Sequence, residues 1–358
     1  MDFSKVSQAV QYKAVSWFLE SGFIANCSSM WHPKTGDTAI HLACRFGRAD
    51  LLAEFSCAGL DLQISNFEGK KPLHEAAQFD QSECVKFLLT KGCEVDCIKR
   101  GDWTPLMLAC TRPQLDVVKL LVYHGANPAF VNKDGWNSFH IATREGHVYI
   151  MQYLLSVNPT LWDTFSHNGR TPLHTAALHG RLEAVQFLLN NCSYPPDATD
   201  SCGSTPLMDA LRAGFVDVAH LLIQHHKADV TKRDNLGMQP IHHAAQAGQT
   251  AAVMFLITQY TIPVNAVTHT TLITPLQVAA KEGHNDVLKS LLLHGADISL
   301  TDHKGRTALH IASGAQHASS VALLLANGAQ DCSDLSGHWA KDLAYREGVK
   351  QAFLNHGA

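Results

Sequence analysis

Twenty-two histidines and ten cysteines in a chain of 358 residues are enough to build metal or acid–base sites, so their spacing has to decide what they do. The cysteines do not have the spacing of a zinc site: no Cys-x-x-Cys occurs, and the closest pair is Cys93 and Cys97. Cys44 and Cys110 fall on the apolar stripe of predicted helices, where a reduced thiol behaves as a small hydrophobe. The histidines are more regular. His41, His74, His140, His174, His242 and His310 are separated by 33, 66, 34, 68 and 68 residues. A ligand set has no reason to keep such a step, whereas a repeated structural unit does. The doublets His225–His226 and His242–His243 lack a carboxylate or cysteine at ligand spacing, so no metal and no cofactor is expected. The remaining catalytic patterns are also missing. The sequence has no Gly-rich phosphate loop, no Gly-x-Ser-x-Gly and no His-Glu-x-x-His. The expectation is a protein that is not an enzyme in its own right.

Composition narrows the partners. A formal net charge of −4, with 46% apolar and 17% charged residues, lacks the basic excess of a nucleic-acid binder. The opening MDFSKVSQAVQYKAVSWFLE has no uninterrupted apolar core of a signal peptide. The longest apolar run, Ala251 to Ile257, is too short to span a bilayer. A cytoplasmic monomer that touches neither membrane nor nucleic acid is expected, with the nucleus as a second compartment.

The elements that position these residues follow from the step. The tetrapeptide Thr-Pro-Leu-His, or a variant, begins at Thr38, Lys71, Thr104, Asn137, Thr171, Thr205, Gln239, Thr274 and Thr307, at intervals of 33, 33, 33, 34, 34, 34, 35 and 33 residues. Thr104 or Thr171 can accept a backbone N–H at a helix start. Pro105 and Pro172 follow at the first helical position, where the missing donor costs nothing. Glycines such as Gly146 and Gly214 stop the first helix. A second helix follows with apolar residues at i, i+3 and i+4, as in Val117, Leu120 and Leu121. Gly125 and its equivalents then turn the chain into an exposed finger. A histidine at the fourth position can tie its helix start to the next finger's backbone.

One unit cannot bury its apolar face alone, but stacked units can. Tetrapeptide and period together resemble the ankyrin repeat. The implied fold is an all-α ankyrin-repeat solenoid, each repeat a helix-turn-helix plus a β-hairpin finger. The expected units are an N-terminal cap at 1–34, repeats at 35–67, 68–100, 101–133, 134–167, 168–201, 202–235, 236–270, 271–303 and 304–335, and a C-terminal cap at 336–358. The first cap carries an apolar stripe, Val6, Val10, Val15, Phe18 and Leu19; the last carries Lys341, Asp342, Arg346 and Lys350.

Residues the repeat does not need are the ones free to bind. The slot before the tetrapeptide holds Trp103 and Trp136 in consecutive repeats and Arg170 in the next. Lys99, Arg100 and Lys133 stand beside them, and equivalent first-helix positions add Phe79, Arg112 and Arg144. Trp and Arg are enriched at interface hot spots, so a partner-binding patch over repeats two to five is expected. The plainer alternative is that each indole packs on its own finger.

The segments DWTPLMLACTR (102–112), NKDGWNSFHIATREGH (132–147), RTPLHTAALHGRLEAV (170–185) and AAKEGH (279–284) resemble ankyrin-repeat proteins that act as cofactors of alanyl-tRNA synthetase. The resemblance runs from about residue 35 to 330. It implies binding to the catalytic domain of that synthetase and acceptance of misactivated serine on lysine side chains, which limits mischarging of tRNA(Ala). Carried onto this sequence, one acceptor position falls on Lys133. A second is Arg100, beside which Lys99 is a substitute, and the third is Asp163; neither arginine nor aspartate can serve as the amine. The competing expectation is a generic ankyrin scaffold in intracellular signalling with a different client. Asn265, in a Val-Asn-Ala finger, is a further candidate for hydroxylation.

Overall fold

In most repeats a helix starts at proline, because a first-turn N–H has no partner inside the helix anyway. The computed structural model describes residues 31, 32 and 34–357. It pairs α1 (Ala39–Arg45) with α2 (Ala49–Cys57), α3 (Pro72–Gln78) with α4 (Ser82–Thr90), α5 (Pro105–Ala109) with α6 (Leu115–Tyr123) and α7 (Ser138–Glu145) with α8 (Val148–Val157). The next pairs are α9 (Pro172–Leu178) and α10 (Leu182–Asn191), α11 (Pro206–Ala213) and α12 (Val216–His226), and α13 (Pro240–Gln246) and α14 (Thr250–Tyr260). Then come α15 (Pro275–Glu282) and α16 (Asn285–Leu293), and α17 (Ala308–Gly314) and α18 (Ala318–Ala326). A 3-10 turn (Ala340–Leu343) and α19 (Glu347–Asn355) close the chain. The apolar stripe proposed for residues 6–19 lies outside the described residues.

The caps follow from the side chains. Thr104 Oγ1 accepts from Met107 N at 3.2 Å, and Thr171 Oγ1 from His174 N at 3.3 Å. Small residues in the first helices let neighbours approach: Ala76, Ala77, Ala109, Ala142, Ala176 and Ala177 are fully buried. On the second helices Val117, Val118 and Leu121, or Ala184, Val185 and Leu188, are buried. Packed contacts divide the described residues into two compact units, one ending at His167 and the other beginning at Asn168, a division the even repeat spacing does not announce.

The fingers are tighter than hairpins. Among the described residues they form turns closed by one or two backbone bonds, with isolated bridges such as Lys99 to Trp103 and no extended strand. The usual turn has an Asn or Asp whose carboxyl or amide oxygen accepts two backbone N–H groups, as Asn132 Oδ1 does from Asp134 N and Trp136 N, both at 2.9 Å. Two residues before the N-cap of each repeat's first helix the chain is left-handed, and glycine fills that place at Gly36, Gly69, Gly135, Gly169, Gly203, Gly237, Gly305 and, before the closing 3-10 turn, Gly337. At Gly135 an added Cβ would also lie 2.6 Å from His167 N of the next finger.

Two fingers break the rule: Asp102 sits there at φ 61° and Leu272 at φ 55°. A leucine in this region costs about 1–2 kcal/mol, and Leu272 is 45% exposed, so little packing offsets it. Leu272→Gly is therefore expected to raise stability by about 1 kcal/mol, measured as a shifted urea midpoint. A loss of stability instead would mean that Leu272 packing outweighs its backbone strain.

Candidate protein-binding site

A fourth-position histidine recurs in six of the nine repeats, with Met107, Met208 and Gln277 in its place in the others. His41 Nε2 reaches Lys70 O at 2.8 Å, His74 Nε2 reaches Trp103 O at 3.0 Å, and His174 Nε2 reaches Ser204 O at 3.0 Å. His242 bridges Ala266 O and Ile273 O, both at 3.1 Å, and His310 reaches His338 O at 3.2 Å. On the opposite ring nitrogen, Nδ1 accepts the backbone N–H of the helix-starting residue, as from Lys71 N at 3.0 Å. In each such ring the hydrogen bonds require Nε2 to donate and Nδ1 to accept, which joins its own helix start to the next finger. Burial holds His74, His174 and His242 down to about 4. His140 keeps its Nδ1 on Asn137 Oδ1 at 3.0 Å and stacks on Trp136.

No group of histidines, cysteines and carboxylates among the described residues is placed to hold a metal ion. The nine described cysteines are free, and burial pushes the Cys84 and Cys97 thiols up to about 12, far from a reactive thiolate. No helix there is long and apolar enough to cross a membrane.

In the first unit, successive fingers are strung together by backbone bonds: Arg100 N donates to Glu68 O at 2.8 Å and Lys133 N to Gly101 O at 3.0 Å. Arg100 and Lys133 thus occupy the same register on neighbouring fingers. Both are exposed, and neither is ion-paired among the described residues. Trp103 and Trp136, one register lower, are half-buried. Each indole is covered by a cation: Lys99 Nζ lies 5.7 Å from the Trp103 ring centre, and the Arg144 guanidinium 5.5 Å from that of Trp136. The plainer packing expectation therefore describes part of their surface, while the other part stays open. Phe79, at the end of α3, is 38% exposed under the Arg45 guanidinium at 5.6 Å. Arg112, past α5, is exposed, and Arg144 is ion-paired with Glu145.

The finger of the third repeat departs from the others in three residues at once. Lys99 stands where Asn66 and Asn132 supply the turn's acceptor oxygen. Gly101 and Asp102 reverse the Asp134–Gly135 order, which puts the strain on Asp102. The Lys99 amine is half-buried, and burial followed by the nearby Lys70 cation lowers its pKa. Local rules broken together at one place are a functional signature. Aligning the chain's own fingers against one another would have exposed Asp102, whereas the desolvation of Lys99 needs coordinates.

The remaining expected residues lie elsewhere. Arg170 belongs to the second unit, where Nε donates to Asp200 at 3.2 Å and Nη2 to Asp209 at 2.6 Å. Asp163 is exposed on its finger. Asn265 is half-buried and its Oδ1 accepts from Asp297 N at 2.9 Å.

These patterns have counterparts among known proteins. A family model described as "Ankyrin repeats (3 copies)" matches residues 6–99, 94–164, 157–234, 192–268, 226–302 and 263–334. The mouse "B-cell lymphoma 3 protein homolog" is 32% identical over 136 residues, covering 37% of this chain and 30% of that protein. The zebrafish "Putative palmitoyltransferase ZDHHC13" is 30% identical over 145 residues, covering 40% and 22%. The chain spans less than a third of the length of either relative. Among solved structures, the human ASB11 ankyrin repeat domain superposes with a TM-score of 0.54 at 25% identity, covering 61% of this chain and 96% of that one. Repeat period, capped helix pairs, bridging histidines and family match agree, and the chain belongs to the ankyrin-repeat family.

Proposed function

We propose that this protein-binding scaffold serves alanyl-tRNA synthetase, binding its catalytic domain through the fingers of repeats two to four and accepting misactivated serine on Lys99 and Lys133. The finer likeness of its finger segments is to ankyrin repeat domain-containing protein 16. The observation that carries the reading is the third finger, where an amine of lowered pKa lies on an indole at a strained turn. Arg100, Arg112 and Lys133 add exposed positive charge suited to the acidic rim of a partner, and Trp103, Trp136 and Phe79 add the aromatic anchors. Such a client places the chain in the cytoplasm.

The chemistry is balanced by elementary steps. Seryl adenylate is a mixed anhydride. A neutral lysine amine attacks its carbonyl carbon, a C–N amide bond forms, the C–O bond to phosphate breaks, AMP leaves, and the amine releases a proton. At pH 7 only about one ordinary lysine in a few thousand is neutral. A lowered pKa raises that fraction for Lys99, and proximity to an enzyme-held adenylate does the rest. Lysines are consumed one for one, so the chain is a reactant at another enzyme's site and turns nothing over.

Two outcomes check this reading. Trp103→Ala is expected to weaken binding to the synthetase catalytic domain by about 10- to 100-fold, or roughly 1–3 kcal/mol, with an unchanged circular dichroism spectrum. No retention of the wild-type chain on that domain at micromolar concentration would overturn the proposal in favour of a scaffold for a different client. After incubation with synthetase, ATP and labelled serine, mass spectrometry is expected to find seryl groups on Lys99 and Lys133. Labelling spread evenly over all lysines would leave binding intact and remove directed capture.

A further inference from the structure

The inner face of the second unit changes character along its length. The residue after the bridging position is Thr175, Asp209 and His243 on α9, α11 and α13, and then Val278 and Ile311 on α15 and α17. With that change a groove of about 660 Å3 opens beneath the fingers of repeats seven to nine. Leu236, Met238, Ile273, Val278, Ile311 and Leu343 supply its apolar surface. Leu236 is 68% exposed, so its share of that apolar surface is open to an occupant.

The finger over the middle of this groove is the one with the inserted residue and the strained Leu272. The extra residue lies between Thr268 and Ile273; the Thr271 hydroxyl bonds that of Thr268 at 2.7 Å, and Ile273 N returns to Thr268 Oγ1 at 2.9 Å. The insertion lets Thr270, Thr271 and Ile273 all line the groove.

Charge selects the occupant. Lys304 holds the equivalent turn position on the next finger, two residues before the groove-lining Arg306. Lys304 is exposed and carries no carboxylate partner among the described residues. Lys281 and Glu282 both line the groove and pair at 3.5 Å, with Lys281 at 64% exposure, so this pair adds no net charge. Arg306 is held by Asp302 at 2.7 Å. The unspent charge at this edge is positive.

We infer that this groove docks a segment of a partner protein that carries aliphatic or aromatic anchors flanked by carboxylates. Anchors seat on Leu236, Ile273 and Ile311 while a carboxylate reaches Lys304. The site is separate from the fingers of repeats two to four and does not rest on the synthetase reading.

A phage-displayed library of random 12-residue peptides, panned against the full chain, tests it. The expected consensus pairs a leucine- or phenylalanine-type anchor with Asp or Glu. A synthetic consensus peptide should lose binding tenfold or more on Leu236→Asp and on Lys304→Glu, two exposed positions that leave the core alone, and should be indifferent to Trp103→Ala. No enrichment, a basic consensus, or binding unaffected by both groove variants overturns the inference. So does a wild-type dimer in sedimentation that Leu236→Asp dissociates, since the groove would then belong to a second copy.

Discussion

Lowering the pH from 7 to 4.5 is expected to remove on the order of 5 kcal/mol of stability, most of what a marginally stable array holds. His74, His174 and His242 titrate near 4 in the fold, each lowered first by burial, against about 6.5 when unfolded. A base whose folded pKa lies below its unfolded value binds its proton more tightly once unfolded. Its contribution is therefore complete above pH 6.5 and is lost as the pH falls towards 4. At pH 4.5 each of the three has forfeited about 2 kcal/mol. Asp209 works in the opposite sense: burial, stronger than its arginine neighbours, raises it to about 6, so acid returns about 2 kcal/mol through that group. The geometry explains the direction. A second ring proton would sit on Nδ1, which faces the backbone N–H of Lys71, Thr171 or Gln239.

The chain contains its own control. Gln277 holds the same position in the eighth repeat, accepting from Thr274 N at 2.8 Å and donating to Leu300 O and Arg306 O at 3.0 Å. An amide makes the bridge and cannot titrate. His174→Gln should therefore keep stability at pH 7 within about 1 kcal/mol and spare about 2 kcal/mol of the acid loss. Urea midpoints at pH 7, 5.5 and 4.5 read both effects. An equal acid loss in wild type and variant would mean that these histidines are not the titrating groups.

The roles of these histidines were legible because the period fixes them. A fourth-position side chain recurring with the helix start has few jobs besides linking neighbours, and Cys44 and Cys110 read as core thiols for the same reason. Helix starts at Pro105 and Pro172 and left-handed stops at Gly146 and Gly214 follow from local backbone rules. What the period does not fix is where a long side chain spends its charge. Arg170 sits in the free slot before the tetrapeptide, beside two tryptophans in register, and sequence reads it as partner-facing. Its guanidinium reaches carboxylates 30 and 39 residues further along, a distance no local pattern carries. Likewise the repeat register tells Lys99 from Lys133, but only coordinates show that the first amine is half-buried and the second exposed. The groove under the seventh to ninth fingers was latent in Val278 and Ile311, but only coordinates show it open.

Removing the Arg170 guanidinium is the mutation expected to cost the fold most. Asp209 is fully buried, and its Oδ1 is shared by Arg170 at 2.6 Å and Arg212 at 2.7 Å, while Oδ2 has no partner. Its pKa lies above the usual carboxylate range despite two arginines, which means that desolvation already outweighs attraction at this site. Arg170→Met leaves that carboxylate with Arg212 alone and frees one oxygen of Asp200. The expected loss at pH 8 is about 3 kcal/mol, at the lower end for breaking a buried pair because Arg212 remains. At pH 5 the loss should be smaller, since Asp209 can then protonate. The companion variant Arg170→Met/Asp209→Leu removes the buried charge together with its partner. Leu108, Ile141, Val278 and Ile311 occupy the same helical position in other repeats, so an aliphatic side chain fits there. The double variant should recover to within about 1 kcal/mol of wild type. If it is as unstable as the single variant, Arg170 contributes through packing of its own stem rather than through the carboxylate it holds.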